Sequence, residues 1–388
     1  MSEELLDDVT LADTAPEGAG PADYLGAVRD IVHHKLRPQS QAIDIEGRYP
    51  EDVLRALGRA GGFGTADDGG TTSMVDNVIQ RIESMAEVSA ECMSTGFATW
   101  CQDTCAWYVQ NSSNEALKAY LAESLVHGEV LGGTGLSNPM KHFSGIEDIR
   151  LRATPEAGGY RINGLLPWVS NLGTGHYFGA VFHVEGDEPH DVMALVPCDI
   201  EGLTLSANTE FTALEGTATY ACRFEDVFLP SFWVLADDAA SFLKQVQPGL
   251  VLTQMGMGLG LTRSCIELMR EVEPRLAHVN GFLDDRPDQL AEELSDLEAA
   301  TRELAKGVDR PNPDYMREVL ELRLAASELT LRAIQSAMLH TGASGYQRHS
   351  EAQRKLREGY FVAIVTPAIK HLRKEISERL ACRQQLAA

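Results

Sequence analysis

Apolar residues recur every three or four positions over residues 25–36, which predicts an amphipathic helix at the start of the ordered chain. A second helix is predicted to begin at Tyr49-Pro50-Glu51 and to end at Gly61-Gly62. The stretch from Met74 to about Val126 has no proline and predicts two or three further helices, with a break near residues 111–113. The first third of the chain therefore predicts a helical layer.

Short apolar runs replace this helical period after Gly132. Tyr160 and Ile162 alternate with polar neighbours and precede the pair Asn163-Gly164, which predicts a turn. Further runs, separated by Gly, Pro, Asp and Asn, occupy residues 181–184, 192–196 and 217–224. Strands at such short, regular spacing are typical of a β sandwich or barrel.

The helical period returns after Pro230 and predicts about four helices over residues 237–385. The clearest helix begins at Asn312-Pro313, and its predicted apolar face carries Leu320, Leu324, Leu331, Ile334 and Met338.

The predicted fold class is thus α+β, with an N-terminal α-helical domain, a middle β-barrel or sandwich domain and a C-terminal four-helix bundle. The expected boundaries are a mobile tail at 1–20, helices at 21–130, the β domain at 131–236 and the bundle at 237–388.

The charge balance narrows the possible partners. The chain has 388 residues, with 33 basic and 57 acidic side chains and a formal net charge of −24. Such a balance argues against binding to nucleic acid or to an anionic membrane surface. The N-terminus is acidic, unlike a secretory signal, and no apolar run is long enough to span a bilayer. Seven cysteines, an odd number spread along the chain, fit reduced thiols in a cytoplasmic protein.

A glycine cluster, Gly256-Met257-Gly258-Leu259-Gly260, lies in a predicted helix. A dinucleotide fingerprint needs a different spacing, and it needs a strand before the glycines. We therefore interpret the cluster as a site of close helix packing or as a helix start.

Two segments of the β domain are the best candidates for chemistry. One is Leu136-Ser137-Asn138-Pro139, and the other is the run that ends in Trp168-Val169-Ser170-Asn171. Trp168 and Ser170 share a strand parity, so an indole and a hydroxyl can face one pocket. This pairing suits a flat redox-active ring. The alternative is a tryptophan packed between sheet and helices, with a serine at a strand end.

The order of elements, together with six segments, resembles the acyl-CoA dehydrogenase family from about residue 20 to residue 380. The resemblance rests on an N-terminal helix followed by Pro38, Asp44, Tyr49-Pro50 and Gly69-Gly70; on Gly128-Glu129; on Trp168-Val169-Ser170-Asn171; on Phe224-Glu225-Asp226-Val227-Phe228-Leu229-Pro230; on Gly342-Ala343-Ser344-Gly345-Tyr346; and on Arg354-x-x-Arg357-Glu358.

The resemblance implies a flavoprotein whose three domains enclose the isoalloxazine ring of FAD. It implies that Trp168 flanks the ring, that Ser170 donates to N5, and that backbone groups of Leu136 and Ser137 meet the pyrimidine end. It also implies a homo-oligomer, a dimer or a tetramer, in which a neighbouring subunit completes each flavin site.

Two departures from the family pattern concern the reaction itself. The family's catalytic carboxylate falls on Thr366 at its usual position and on Leu250 at its alternative position, and neither residue can remove a proton as a carboxylate does. Glu358 is interpreted as part of a structural ion pair. The segment that would grip the flavin pyrophosphate, residues 280–290, is rich in aspartate, with Arg286 as a possible substitute.

Three hypotheses follow. The first is an oxidoreductase that acts on an acyl thioester. It would use a base that the sequence does not identify and would pass electrons to an electron-transfer flavoprotein. The second is a two-component monooxygenase that takes reduced FMN or FAD from a flavin reductase. The third is a non-catalytic member that binds acyl-CoA. Basic residues at 355–374 would favour the anionic CoA moiety, although they equally fit the polar face of a helix.

Overall fold

The structure is a computed structural model that describes residues 24–65, 74–207, 209–309, 312 and 314–387. The expected mobile tail and the glycine pair Gly69-Gly70 lie outside the described residues.

The N-terminal layer consists of helices, as its hydrophobic period predicts. The first helix continues from Ile31 into a π-helical turn, Val32–Leu36, and the break near residue 112 separates two long helices from a third. The helices are α1 (Tyr24–Ile31), α2 (Ser40–Ile45), α3 (Glu51–Arg59), α4 (Met74–Glu91), α5 (Met93–Asn111) and α6 (Glu115–Val126). Asn114 ends the break by accepting a hydrogen bond from the Leu117 amide at the start of α6.

A single mixed sheet of eight strands forms the middle of the chain, with the order β6-β7-β3-β2-β4-β5-β8 and β1 beside β4. The strands are β1 (Gly132–Thr134), β2 (Arg152–Glu156), β3 (Gly159–Val169), β4 (Tyr177–Val184), β5 (His190–Pro197), β6 (Leu203–Ser206), β7 (Tyr220–Pro230) and β8 (Val234–Ala236). A short helix, α7 (Ser137–Phe143), follows β1 and lies outside the sheet. The predicted apolar runs at 181–184 and 192–196 lie in β4 and β5, whereas the run at 217–224 begins in a short 3₁₀ turn and enters β7 only at Tyr220.

The prediction of a turn at Asn163-Gly164 is wrong, because β3 runs straight through this pair. The register against β7 shifts between Ile162 and Gly164, which marks a bulge. Gly164 has a φ of 137°, and a Cβ there would lie 2.5 Å from the Arg150 carbonyl oxygen. Glycine is thus required by a bulge within the strand, and the hairpin turn lies earlier, at Gly158 (φ 83°).

The C-terminal part contains six helices among the described residues, where the sequence predicted about four. They are α8 (Ala239–Thr253), α9 (Met255–Asn280), α10 (Pro287–Ala305), α11 (Tyr315–Thr341), α12 (Glu351–Ile364) and α13 (Ile369–Ala387). Gly342, with a φ of 61°, ends α11. Pro367, which has no amide hydrogen to donate, separates α12 from α13. The predicted fold class, a helical layer, a β domain and a helical bundle, is confirmed.

The glycine cluster lies where α9 crosses α4, and the packing interpretation is confirmed. A Cβ on Gly260 would lie 2.0 Å from the carbonyl oxygen of Ala86, and a Cβ on Gly256 would lie 2.6 Å from that of Ile82. The two helices approach so closely only because α9 presents hydrogen atoms to the backbone of α4.

The cysteines are packed as small apolar side chains rather than cross-linked. Six of the seven are buried free thiols, and Cys382, near the end of α13, is exposed. Within the described ranges, no helix is both long and apolar enough to cross a bilayer.

We predict that Gly260→Ala lowers the free energy of unfolding by about 2–3 kcal/mol, because the new methyl group meets backbone that cannot move independently. Urea unfolding at equilibrium measures this. Gly258→Ala is the matched control, since its Cβ would meet a side-chain atom, Thr330 Oγ1, at 3.0 Å. Equal losses in the two variants would show that the α4 contact does not set the effect.

Candidate active site

Two residues that the sequence places 229 positions apart meet at the start of α7. The Ser137 hydroxyl oxygen lies 2.9 Å from the Thr366 hydroxyl oxygen. Ser137 is the first residue of α7, and Thr366 lies in the short connection between α12 and α13. The candidate flavin-binding segment and the position at which the family pattern would place a carboxylate are therefore in direct contact.

The connection that carries Thr366 is fixed from behind by two polar side chains. Gln254, in the break between α8 and α9, donates from Nε2 to the Thr366 carbonyl oxygen at 2.9 Å. Arg323 on α11 donates from Nε to Gln254 Oε1 at 3.3 Å and from Nη2 to the Val362 carbonyl oxygen at 2.8 Å. Both ends of the segment 362–366 thus depend on one buried guanidinium.

Sequence reasoning missed Arg323 because the buried face of its helix was assigned from apolar residues alone. In the structure Leu324 and Leu331 are only half-buried, whereas Arg323 and Ser327 lie on the buried face of α11. The spacing could have predicted its burial, because Arg323 lies three residues after Leu320 and therefore on the same, buried side of the helix.

Trp168 and Ser170 stand at the end of β3 with different surroundings. The Trp168 indole is 59% exposed and contacts Phe211 edge-on, with ring centroids 6.5 Å apart. Ser170 is buried, and its hydroxyl oxygen lies 2.6 Å from the Thr219 hydroxyl oxygen. A large exposed indole beside a buried hydroxyl fits a flat ring that would cover the indole.

The Ser170 hydroxyl belongs to a chain of hydroxyl groups. Thr219 Oγ1 also lies 2.7 Å from Thr217 Oγ1, and Thr217 donates to the Leu214 carbonyl oxygen at 2.7 Å. Since Thr217 uses its one proton for Leu214, Thr219 donates to Thr217 and the Ser170 hydroxyl donates to Thr219. The Ser170 proton reaches a bound ring only if it turns away from Thr219.

Asn171 closes the same motif and has a structural role. It is fully buried with a φ of 65°, accepts from the Tyr49 hydroxyl at 2.6 Å and donates to the Gly132 carbonyl oxygen at 2.7 Å. His176 Nδ1 lies 3.1 Å from the Asn171 carbonyl oxygen. These contacts fix the ends of β3 and β1 together, and with them the positions of Ser170 and Leu136.

A cavity of about 1000 Å³ begins at Leu136 and runs along α7. Leu136, Met140, Phe143 and Ser144 of this segment line one wall, and Leu250 lies in the opposite wall on α8. Other lining residues come from α5, α11 and α13, among them Trp107, Tyr315, Met316, Glu375 and Arg379. The volume is sufficient for a small organic ligand.

A compact polar cluster lies at the other end of α7. Ser144 donates to Glu375 Oε1 at 2.5 Å, and His371 Nε2 lies 2.8 Å from the same oxygen and 2.7 Å from the Ser144 hydroxyl oxygen. Burial by itself would raise the pKa of Glu375, but the hydrogen bonds from His371 and Ser144 outweigh it and lower that pKa. The cluster therefore holds an ionised carboxylate in the cavity wall at neutral pH.

Glu358 has a different role from the ion pair that the sequence suggested. Its Oε1 accepts from the Met93 amide at 3.2 Å, at the start of α5, and burial raises its pKa. The ion pair is made instead by its neighbour Arg357, which binds both oxygens of Asp44 at 3.0 and 2.6 Å. Glu358 thus stabilises a helix N-terminus.

The basic residues of 355–374 are largely engaged by the chain itself; Arg373 is exposed, as the helix-face interpretation expects, but Lys355 is fully buried, so that interpretation is wrong for Lys355. Lys355 donates to the Ala90 carbonyl oxygen, Arg373 pairs with Glu328, and Lys374 pairs with Glu378. In the acidic segment, Arg286 pairs with Glu273 at 2.6 Å. A phosphate group would compete with these partners.

The helical layer, the central sheet and the helical bundle define the three-part architecture of an acyl-CoA dehydrogenase. Residues 23–129 match the family described as "Acyl-CoA dehydrogenase, N-terminal domain". A benzylmalonyl-CoA dehydrogenase of Aromatoleum aromaticum is 24% identical over 341 residues, which cover 85% of this chain and 89% of that protein.

Two solved structures extend the likeness to the whole fold. A glutaryl-coenzyme A dehydrogenase in complex with glutaryl-CoA superposes with a TM-score of 0.81 at 19% identity, covering 91% of this chain and 93% of that one. A Mycobacterium smegmatis glutaryl-CoA dehydrogenase in complex with FADH2 superposes with a TM-score of 0.74 at 17% identity, covering 92% of this chain and 93% of that one. The chain thus has the fold of the solved acyl-CoA dehydrogenases, and its residues 23–129 match the N-terminal domain of that family.

We predict that stability falls on acidification in part through His176. Burial lowers the pKa of His176 below that of the unfolded chain, so the unfolded state binds more protons and the stability present above about pH 6.5 is lost as the pH falls. Urea unfolding at pH 7.5 and 5.5 should show a smaller difference for His176→Gln than for the wild type. The exposed His190→Gln is the control, and an equally reduced difference there would contradict the assignment.

Proposed function

We propose that this chain is a flavin-dependent oxidoreductase with FAD as cofactor and an acyl thioester as substrate. The observation that carries the proposal is the contact of Ser137 with Thr366, directly after Leu136, which lines the 1000 Å³ cavity. Leu136 is thus a candidate ring-binding residue that also borders the proposed substrate space. The relatives are dehydrogenases of benzylmalonyl-CoA and glutaryl-CoA, and one of them holds FADH2.

Bound flavin supplies the site with a two-electron acceptor. We propose that Trp168 covers one face of the ring, that the Ser170 hydroxyl donates to its N5 atom, and that backbone groups of Leu136 and Ser137 bind the pyrimidine end. The exposed indole supports the role of Trp168, and the role of Ser170 requires its hydroxyl to turn from Thr219 to the ring. The cavity walls at Met140 and Leu250 would exclude water from an acyl chain.

The site has no carboxylate at either position where the family pattern would place one. Thr366 bonds to Ser137, and Leu250 is an apolar residue of the cavity wall. This observation favours, as a second candidate, a monooxygenase that receives reduced FMN or FAD from a flavin reductase, because such a reaction needs no α-proton base. A non-catalytic acyl-CoA-binding protein is the third.

We propose a homo-oligomer, a dimer or tetramer, in a cytoplasmic location. Exposed apolar side chains at the turn after α9 and at the end of α11 support a subunit contact; they are Phe282 (90% exposed), Leu339 (62%) and Tyr346 (80%). Six buried free thiols suit a reducing compartment. The electron partner would be an electron-transfer flavoprotein for a dehydrogenase or a flavin reductase for a monooxygenase.

We predict that Trp168→Ala weakens flavin binding by about tenfold, through loss of the ring contact. The dissociation constant is measured by titrating FAD and FMN, oxidised and reduced, into flavin-free protein. Tyr120→Ala removes an aromatic ring of equal exposure, 59%, and should leave binding unchanged. Unaltered flavin affinity and spectrum in Trp168→Ala would remove Trp168 from the site.

We predict that Thr366→Glu raises the rate at which butyryl-CoA bleaches the bound flavin anaerobically by at least tenfold, because it supplies a carboxylate at the position where the family pattern would place one. Thr366→Gln introduces a side chain of the same shape as glutamate without the charge, and its bleaching rate should not rise. Bleaching already fast in the wild type would indicate a relocated base. If the protein binds reduced flavin and uses oxygen to hydroxylate a substrate, while no thioester bleaches the flavin, the monooxygenase candidate replaces the dehydrogenase.

A further inference from the structure

The hydroxyl chain behind the end of β3, formed by Ser170, Thr219 and Thr217, has only one possible direction. Thr217 lies 2.7 Å from the Leu214 carbonyl oxygen, which can only accept, so Thr217 donates its single proton there. Thr219, 2.7 Å from Thr217, must then donate to Thr217, and Ser170, 2.6 Å from Thr219, must donate to Thr219. The Ser170 oxygen therefore keeps only lone pairs for a ligand.

The backbone holds the hydroxyl chain in this direction. Leu214 precedes a single 3₁₀ turn, Glu215–Thr217, and Ala218 follows it. Both flanking residues have left-handed backbone conformations, with φ of 68° and 47°, which non-glycine residues adopt only where the surrounding structure fixes them. The Asn171 amide donates to the Thr217 carbonyl oxygen at 2.9 Å, which ties this turn to the strand end that carries the serine.

The Ser170 oxygen lies beside the surface proposed for a flavin ring. Trp168 precedes Ser170 by two residues, so the two side chains share one face at the end of β3, and the indole is 59% exposed. Ser170 itself is buried, so its free lone pairs have little access to water. A ring that covers the indole therefore meets an oxygen whose bonding is set by the hydroxyl chain.

The two redox states of a flavin ring offer different partners to this oxygen. N5 of the oxidised ring has a lone pair and only accepts a hydrogen bond, whereas N5–H of the two-electron-reduced ring donates one. Ser170 accepts from N5–H without disturbing its own bond to Thr219. To donate to the oxidised ring, Ser170 has to turn away from Thr219, and the site then has one hydrogen bond fewer.

We propose that the hydroxyl chain makes this protein bind reduced flavin more tightly than oxidised flavin, with Ser170 as the acceptor of N5–H. The proposal rests on the proposed function and names the redox state that its flavin site favours. The loss of one hydrogen bond weakens the binding of oxidised flavin by about fivefold. Such a preference raises the reduction potential of the bound ring above that of free flavin.

The test compares the dissociation constants of oxidised and reduced FAD and FMN, measured by anaerobic titration of flavin-free protein. Thr217→Val keeps the shape of the side chain and removes the acceptor of Thr219. Thr219 can then donate to Ser170, which frees the Ser170 proton for N5 of the oxidised ring. Thr217→Ser keeps the hydroxyl group and is the matched control.

We expect Thr217→Val to bind oxidised flavin about fivefold more tightly than the wild type does, with its affinity for reduced flavin unchanged. A gain in affinity on removal of a hydroxyl group is not what a damaged fold produces. Thr217→Ser should match the wild type in both redox states. If Thr217→Val fails to fold, Thr219→Val removes the acceptor of Ser170 directly and should give the same gain.

Two results would overturn the proposal. One is a wild type that binds oxidised flavin at least as tightly as reduced flavin. The other is a ratio of the two dissociation constants that is the same in the wild type and in the valine variants. Where flavin binds too tightly to titrate, the reduction potential of the bound flavin relative to free flavin measures the same ratio.

The failure of the proposed function looks different. If the wild type binds neither redox state of FAD or FMN, the flavin site is lost from the proposal, and this inference is lost with it. If flavin binds and Trp168→Ala weakens that binding, while the valine variants leave the ratio unchanged, the flavin site stands. Only the role of Ser170 as an acceptor is then overturned.

Discussion

The close approach of α4 and α9 is the constraint on which the rest of the molecule depends. Gly256 and Gly260 let the backbones of the N-terminal layer and the C-terminal bundle touch, which leaves no room for a side chain at the crossing. With these two layers joined, α8 contributes Leu250 to the cavity that α7 also lines, and Gln254, directly after α8, reaches Thr366. The cavity and the polar contacts behind Thr366 both follow from that placement.

The elements that could be predicted from the sequence are those whose hydrophobic period is local. Residues 25–36 show a clear 3.6-residue pattern, residues 74–126 contain no proline, and the strands at 181–184 and 192–196 are short apolar runs bounded by polar residues. The turn prediction at Asn163-Gly164 was wrong because the same dipeptide suits both a hairpin turn and a bulge. Only the pairing with the partner strand decides between them. The number of helices after residue 237 depended on breaks at Gln254 and Pro367 that interrupt an otherwise continuous apolar pattern.

The site was predictable in its motifs and not in its polar interior. Trp168, Ser170, Leu136, Ser137 and Thr366 could be found from spacing and resemblance, because each lies in a recognisable segment. Arg323, Gln254 and Glu375 could not, since a charged or amide residue in a helix is ordinarily assigned to the solvent face. The spacing from Leu320 could place Arg323 on the buried face of α11, but its contacts with Gln254 and the α12–α13 connection are tertiary and have no local signal in a single sequence.

The exposed thiol on α13 offers experimental access to this interior. Cys382 follows Glu375 by two helical turns, which puts it on the same side of α13 and about 10 Å farther along the axis. The other six cysteines are buried, so a thiol-directed fluorophore would attach to the native protein at this one position. A dye there would report through its emission whether α13, which carries the polar wall of the cavity, shifts when a ligand enters.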